Sequence, residues 1–214
     1  MNSFLLLYKK CMKSGSNIVF VLLRFLFYFV FYRKRLFVHQ RVSLKGVRNF
    51  EGKGIIEVGI SYVGFMHRND RTVININGKL ILKGRYNIGR GCRIDIGRNG
   101  LVEIGDGGYV NCNTNIVIMH RLSIGDGCAI SWGCQFLDDD FHEVLYEGRN
   151  DRDPSIHVGD RVWIGCNVKV YKGSVIPNGC IVASDSIVKG RFDKENCLIG
   201  GNPARVLRED VSWR

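Results

Sequence analysis

A histidine placed just after a run of aspartates is the most chemically suggestive feature of this 214-residue sequence: Asp138-Asp139-Asp140-Phe141-His142. Imidazole titrates near neutrality, so a side chain such as His142 can take the proton of a hydroxyl that has to become a nucleophile. In an extended segment Asp138, Asp140 and His142 project to one side, and Asp139 and Phe141 to the other. A carboxylate on Nδ1 would then fix the tautomer and leave Nε2 facing a substrate. The plainer alternative is a solvated loop histidine beside an acidic run. His120 and His157 are possible substitutes for the base, each with a structural or acceptor-facing alternative.

The same residues argue against a metal. Hard cations favour clustered carboxylates, but the aspartate run lacks the spaced ligands of a calcium loop. His120, His142 and His157 are 22 and 15 residues apart, with no close pair. None of the eight cysteines forms a CxxC pair. Cys92, Cys128, Cys134 and Cys180 each follow an apolar residue by four positions, which suits small buried thiols in a reducing compartment. No cysteine is placed as an acyl-carrying nucleophile, because the thiolate is the reactive form and burial disfavours it.

The elements that must position His142 follow from a six-residue period. Val158, Ile164, Val170, Ile176, Val182 and Val188 recur without interruption, as do Ile76, Leu82, Ile88 and Ile94; Ile104, Val110 and Ile116; and Ile124, Ile130 and Phe136. Six is neither the 3.6 of a helix nor the 2 of a simple strand. Each unit is therefore a short strand plus a corner, with one inward aliphatic side chain. Three units close a triangular coil of 18 residues, and stacking coils buries the aliphatic columns. The expected fold is an all-β parallel β-helix. The 26 glycines against 3 prolines fit it, since residues such as Gly89, Gly105, Gly125, Gly159 and Gly165 fall at corners.

Where the period breaks, a loop must leave the coil, and loops on a rigid scaffold are where chemistry concentrates. Phe136 and Val158 are 22 residues apart, 16 more than one unit needs. That excursion contains His142.

The segments IGDGGY, IGDGCA and VGDRVWIG, with GNPARVL near the end, resemble the hexapeptide-repeat acyltransferases, whose members fold as left-handed β-helices. The resemblance runs from about Ile76 to Leu207 and is greatest to O-acetyltransferases of bacterial surface-polysaccharide synthesis. It implies a homotrimer with acetyl-CoA as co-substrate in a groove between coils, no metal, and a histidine base in the region of His142. The family's SHP-like context is DFH here, which leaves the orienting group open. The resemblance also implies Trp163 and Cys166 beside the pantetheine arm, Ser184 and Lys189 near the pyrophosphate, Arg205 toward the nucleotide phosphates, and Trp132 lining the acceptor pocket. Structural alternatives exist: Trp132 or Trp163 shielding a coil edge, and Arg205 pairing with Glu209 on a short C-terminal helix.

Lysine and arginine exceed aspartate and glutamate by 11, which favours anionic partners. Nucleic acid is not expected, because no helix-turn-helix, zinc finger or RNP-like motif is present. Residues 18–32 are apolar except Arg24 and run into Arg33-Lys34-Arg35 without a small-residue cleavage site. They are short for a span. A helix lying on the inner membrane surface through residues 18–35, a marginal span and a helix packed on a partner all fit.

The expected organisation is an apolar and basic N-terminal helix over 1–40, an irregular β lead-in over 41–75, a β-helix over 76–200 with an extruded loop at 137–157, and a tail over 201–214. The expected function is direct acetyl transfer to a sugar hydroxyl of a capsule, exopolysaccharide or O-antigen, on a free or lipid-linked saccharide. The expected location is cytoplasmic, peripheral at the inner face of the cell membrane. A non-catalytic β-helix scaffold and an acyltransferase for a small molecule or amino sugar are the rival readings.

Overall fold

The computed structural model describes residues 3–52, 54–61, 63–67, 69–143, 145 and 153–214. Two helices, α1 (Ser3–Ser14) and α2 (Ile18–Tyr32), precede a stack of short strands. The strands form three sheets of nine, seven and six members. The chain visits the three sheets in rotation, so from Leu36–Val38 to Ile187–Val188 the strands pair in parallel with those three places along the sequence. This is a left-handed parallel β-helix.

The six-residue period maps onto the interior. Val110 lies between Ile88 and Ile130 in the first sheet, Ile116 between Ile94 and Phe136 in the second, and Ile124 between Ile104 and Val158 in the third. All nine are buried. Each such side chain contributes about 1.5–3 kcal/mol on leaving water. Ile76 is displaced from its column: Ile74 pairs with Ile94, while Ile76 pairs with Ile96 nearer the corner.

The Gly-Asp pairs build the edge between the third and first sheets. Asp126 Oδ1 accepts the Asp106 N–H, Asp160 Oδ1 the Asp126 N–H, and Asn178 Oδ1 the Asp160 N–H, at 2.7–2.8 Å. A Cβ on Gly105 or Gly125 would lie 2.2 Å from the Asp126 or Asp160 carboxylate of the next coil. The glycine makes room for the carboxylate that satisfies the backbone beside it. Interior cysteines fill the corners. The thiols of Cys128 and Cys134 donate to the Gly159 and Gly165 carbonyls of the following coil, both at 3.1 Å.

The N-terminal helices close the open end of this stack. Asn17 caps α2 by accepting the Val19 and Phe20 N–H groups. Tyr28 is buried in the main core, and Phe25 stacks on Phe37 at 4.4 Å. Arg24, the lone charge of the apolar segment, donates to the His39 and Val42 carbonyls, both at 3.0 Å. α1 turns along the first sheet, where Lys10 pairs with Glu57 at 2.8 Å and buried Arg90 donates to Ser14 O. Among the described residues no single helix is long and apolar enough to cross a membrane. α1 and α2 meet that length and composition only together, and they are bent by 119°.

Two boundaries differ from the sequence expectation. The coil starts at Leu36–Val38, and most of 41–75 pairs within it as Val42–Lys45, Phe50–Gly52, Ile56–Val58 and Thr72–Ile76. Longer corners, including 59–71, hide the period there. The tail has no helix: Leu198–Gly201 turns back antiparallel onto Ala204–Arg208. Glu209 accordingly pairs with Lys194 at 2.5 Å and not with Arg205.

Truncating Phe136, fully buried at the centre of the second column, leaves a cavity between two coils that the ladder prevents from collapsing. Phe136→Ala is expected to cost about 3–5 kcal/mol, read as a lowered urea midpoint.

Candidate active site

The chain leaves the coil after Gln135–Leu137, at the edge between the second and third sheets, and returns at Ile156–Val158. Residues 144 and 146–152 of the expected loop lie outside the described residues. Asp138 starts the excursion and is fully buried. Its carboxylate accepts the N–H groups of Met119, His120 and Arg121 at 2.7–2.8 Å, clamping the corner of the preceding coil.

The next residues turn sharply. Phe141 is left-handed, with φ 57°, and its N–H donates to Asp139 Oδ1 at 2.5 Å. That turn breaks the alternation of an extended strand, so the three aspartates take separate partners. Asp139 Oδ2 lies 2.9 Å from His120 Nε2. The Phe141 N–H, and then His120, hold the Asp139 carboxyl below its usual range. Asp140 pairs with Lys172 at 2.5 Å, one coil further on.

His142 is exposed, and its Nδ1 lies 3.4 Å from the Asp140 carbonyl oxygen. A carbonyl can only accept, so a hydrogen bond at this contact is donated by Nδ1–H. Neither Asp138 nor Asp140 presents a carboxylate to His142, as the extended reading expected; the orienting group is a backbone carbonyl. His157 is half-buried on the third sheet, with Nδ1 2.8 Å from Ser123 Oγ. His120 and His142 therefore stand at one edge in two adjacent coils, and His157 lies on the third sheet that begins there.

The other expected residues lie elsewhere on the prism. Trp132 is exposed at the edge between the first and second sheets, its ring edge-on to Phe65 at 5.2 Å. Cys166 and Ser184 follow along that edge, and the Cys166 N–H donates to Ser184 Oγ at 3.1 Å. Trp163 points outward from the first sheet; its Nε1–H donates to Ser131 Oγ at 3.3 Å, and Trp213 flanks it at 6.3 Å. Arg205 is exposed on the last strand and bonds only its neighbour's carbonyl, Ala204 O, among the described residues. Lys189 is exposed beyond Lys172 on the histidine edge, apart from the residues it was grouped with.

The groups on the first sheet and its edge suit the parts of an acyl-CoA. An exposed indole and a strand edge can hold an apolar, amide-bearing arm, and the Arg205 guanidinium keeps most of its donors for phosphate. Four contributors were not read from sequence: Asp139, Lys172, Ser131 and Phe65. Lys172 was findable, because the ladder sets Gln135 against Lys169 and thereby brings Lys172 to the corner that Asp140 leaves.

Two outcomes follow. Asp138→Ala strands three backbone donors and should cost at least about 2 kcal/mol, with faster amide exchange at Met119, His120 and Arg121. Asp139 has a depressed carboxyl in the folded chain, so its stabilisation is full above the unfolded carboxylate range and is lost as pH falls through the lower folded value. Urea midpoints measured against pH should fall less steeply on the acid side in Asp139→Asn than in the wild type.

No family model matches the chain. It is 36% identical over 211 residues to an uncharacterized 24.8 kDa protein in the cps region of Klebsiella pneumoniae, covering 98% of this chain and 95% of that one. A putative lipopolysaccharide biosynthesis O-acetyl transferase of Escherichia coli K12 is 40% identical over 55 residues, 26% of this chain and 28% of that protein. Among solved structures, the polysialic acid O-acetyltransferase OatWY superposes with a TM-score of 0.51 at 21% identity, over 81% of this chain and 86% of that one. The chain is thus related over nearly its whole length to the Klebsiella cps-region protein, and it shares its β-helix fold with a solved O-acetyltransferase.

Proposed function

We propose that the protein transfers an acetyl group from acetyl-CoA to a sugar hydroxyl during synthesis of a surface polysaccharide, with His142 as general base. The observation that carries this reading is the 138–142 hook: a buried carboxylate clamps its root, a left-handed residue turns its tip, and His142 stands exposed beside that tip. The Klebsiella relative in the cps region and the relative in lipopolysaccharide biosynthesis support a saccharide acceptor.

In this mechanism His142 Nε2 takes the proton of the acceptor hydroxyl as the oxygen attacks the thioester carbonyl carbon. Backbone N–H groups of a coil corner face the oxygen that becomes negative. The C–S bond breaks, and the imidazolium returns the proton to the departing CoA thiolate. Transfer is direct. Burial pushes the interior thiols of Cys92 and Cys134 up to about 12 and that of Cys128 to about 11, so none of these three is a thiolate at neutral pH. Trp163 and Cys166 line the pantetheine arm, Ser184 lies near the pyrophosphate, and Arg205 takes the nucleotide phosphates. Lys189, on the histidine edge, takes part from there. Trp132 with Phe65, and His120 and His157 beside the base, form the acceptor side.

The working form is a homotrimer. His142 and the donor-binding groups occupy different edges of one triangular prism, so a single chain does not bring them together. Packing prisms side by side about a threefold axis sets the histidine edge of one chain against the donor face of its neighbour.

The test is CoA-thiol release from acetyl-CoA against a panel of free sugars, nucleotide sugars and lipid-linked oligosaccharides. Turnover with a saccharide is expected, falling about a hundredfold to ten-thousandfold in His142→Ala with the fold retained. Near wild-type turnover in that variant would exclude His142 as the base. Absence of CoA binding by calorimetry would favour the scaffold reading.

A further inference from the structure

The end of the β-helix that α2 covers carries a surface the transfer reaction does not use. One side of α2 is buried through Val21, Tyr28 and Arg24, while Phe20, Leu23, Phe27, Val30 and Phe31 face away from the coils, Phe31 with 72% of its surface exposed. This apolar face lies at the end of the stack, not along the flanks that the proposed side-by-side packing of prisms would use. It runs directly into Arg33-Lys34-Arg35.

Arg35 also lines a pocket of about 460 Å³ at the edge between the third and first sheets, with Lys83, Arg85 and Asp106. Its floor is glycine backbone: a Cβ on Gly54 would lie 2.3 Å from the Gly84 carbonyl carbon, and one on Gly84 would meet the Asp106 carboxylate. The Asp106 carboxylate accepts the Arg85 N–H at 2.5 Å. The side chains of Arg35, Lys83 and Arg85 have no carboxylate partner among the described residues. Three cations over a narrow backbone floor, continuous with an outward apolar helix face, match the two parts of an anionic lipid: acyl chains and a phosphate.

We infer that α2 seats the protein on an anionic bilayer, with its outer face in the acyl-chain boundary and a lipid phosphate held by Arg35, Lys83 and Arg85. The occupant is a bilayer surface and not a second copy of the chain, because two copies meeting end to end would bring Arg33-Lys34-Arg35 and this basic pocket against their own like charges. The stack then stands on the membrane. The histidine hook, four strand spacings along, lies about 20 Å above the capped end. This inference rests on the N-terminal end alone and not on the transfer chemistry.

The test is flotation of the full chain with vesicles of phosphatidylcholine alone and with 30% phosphatidylglycerol, an amount chosen to give about a tenfold or larger preference for the charged vesicles. Lys83→Gln/Arg85→Gln, which touches no catalytic group, should lower partitioning about 30-fold, two basic residues at about fivefold each. Phe27→Ser/Phe31→Ser should abolish flotation while the far-UV CD spectrum and the rate of CoA-thiol release in solution stay unchanged. Equal binding to both vesicle types, or no binding to either, overturns the inference. So does stabilisation by inorganic phosphate that depends on Lys83 and Arg85 without vesicle binding, which assigns the pocket to a soluble anion. Self-association that is lost in Phe27→Ser/Phe31→Ser, again without flotation, assigns the face to a second copy. Because flotation needs no acceptor or acetyl-CoA, its failure is separable from failure of the proposed reaction.

Discussion

Everything in this molecule depends on each coil lying in register on the one before it. The parallel ladders fix that register, and the Gly-Asp edge locks it: the carboxylate of Asp160 receives the Asp126 N–H only because Gly125 has no Cβ to occupy its place. A one-residue slip would lose these bonds and turn the inward residues of a coil, such as Ile124, Ile130 and Phe136, out to water. The Gly-Asp motif residues are thus residues of the scaffold, and they give several of the 26 glycines a place where no side chain would fit.

Rigid registration makes departures from the coil meaningful. Residues 59–71 leave one edge and bring Phe65 to Trp132; the excursion after Leu137 leaves another and presents His142. Asp138 joins loop to scaffold. It is fully buried although polar, and it is accommodated because three backbone N–H groups of the coil below converge on it. The reach of His142 is set by that clamp and by the left-handed Phe141.

The sixteen positions of the six-residue phase were enough to read the fold, because inward aliphatics are the repeat's energetic requirement and leave a direct trace in sequence. The excursion after Phe136 was legible for the same reason, as a gap in that trace. Side-chain pairing inside the excursion was not. The expectation that Asp138, Asp140 and His142 share a face assumed extended backbone, and a single residue with positive φ at Phe141 undid it. The lead-in was missed because its longer corners hide the period, although the pairing of Ile56 with Tyr86 is ordinary coil geometry. The tail was misread because a polar, charged stretch after Pro203 suits a helix as readily as the antiparallel return to Leu198–Gly201.

The central claim is that one chain supplies the base and its neighbour the donor site. It is tested most directly by complementation between two inactive variants, His142→Ala and Trp163→Ala/Arg205→Ala, unfolded together, refolded as mixed assemblies and assayed for CoA-thiol release with an accepted saccharide. Sharing of the site between chains predicts recovered turnover, since mixed trimers contain interfaces where an intact histidine edge faces an intact donor face. Activity no higher than the sum of the two variants refolded alone, in assemblies shown to be mixed, would contradict it.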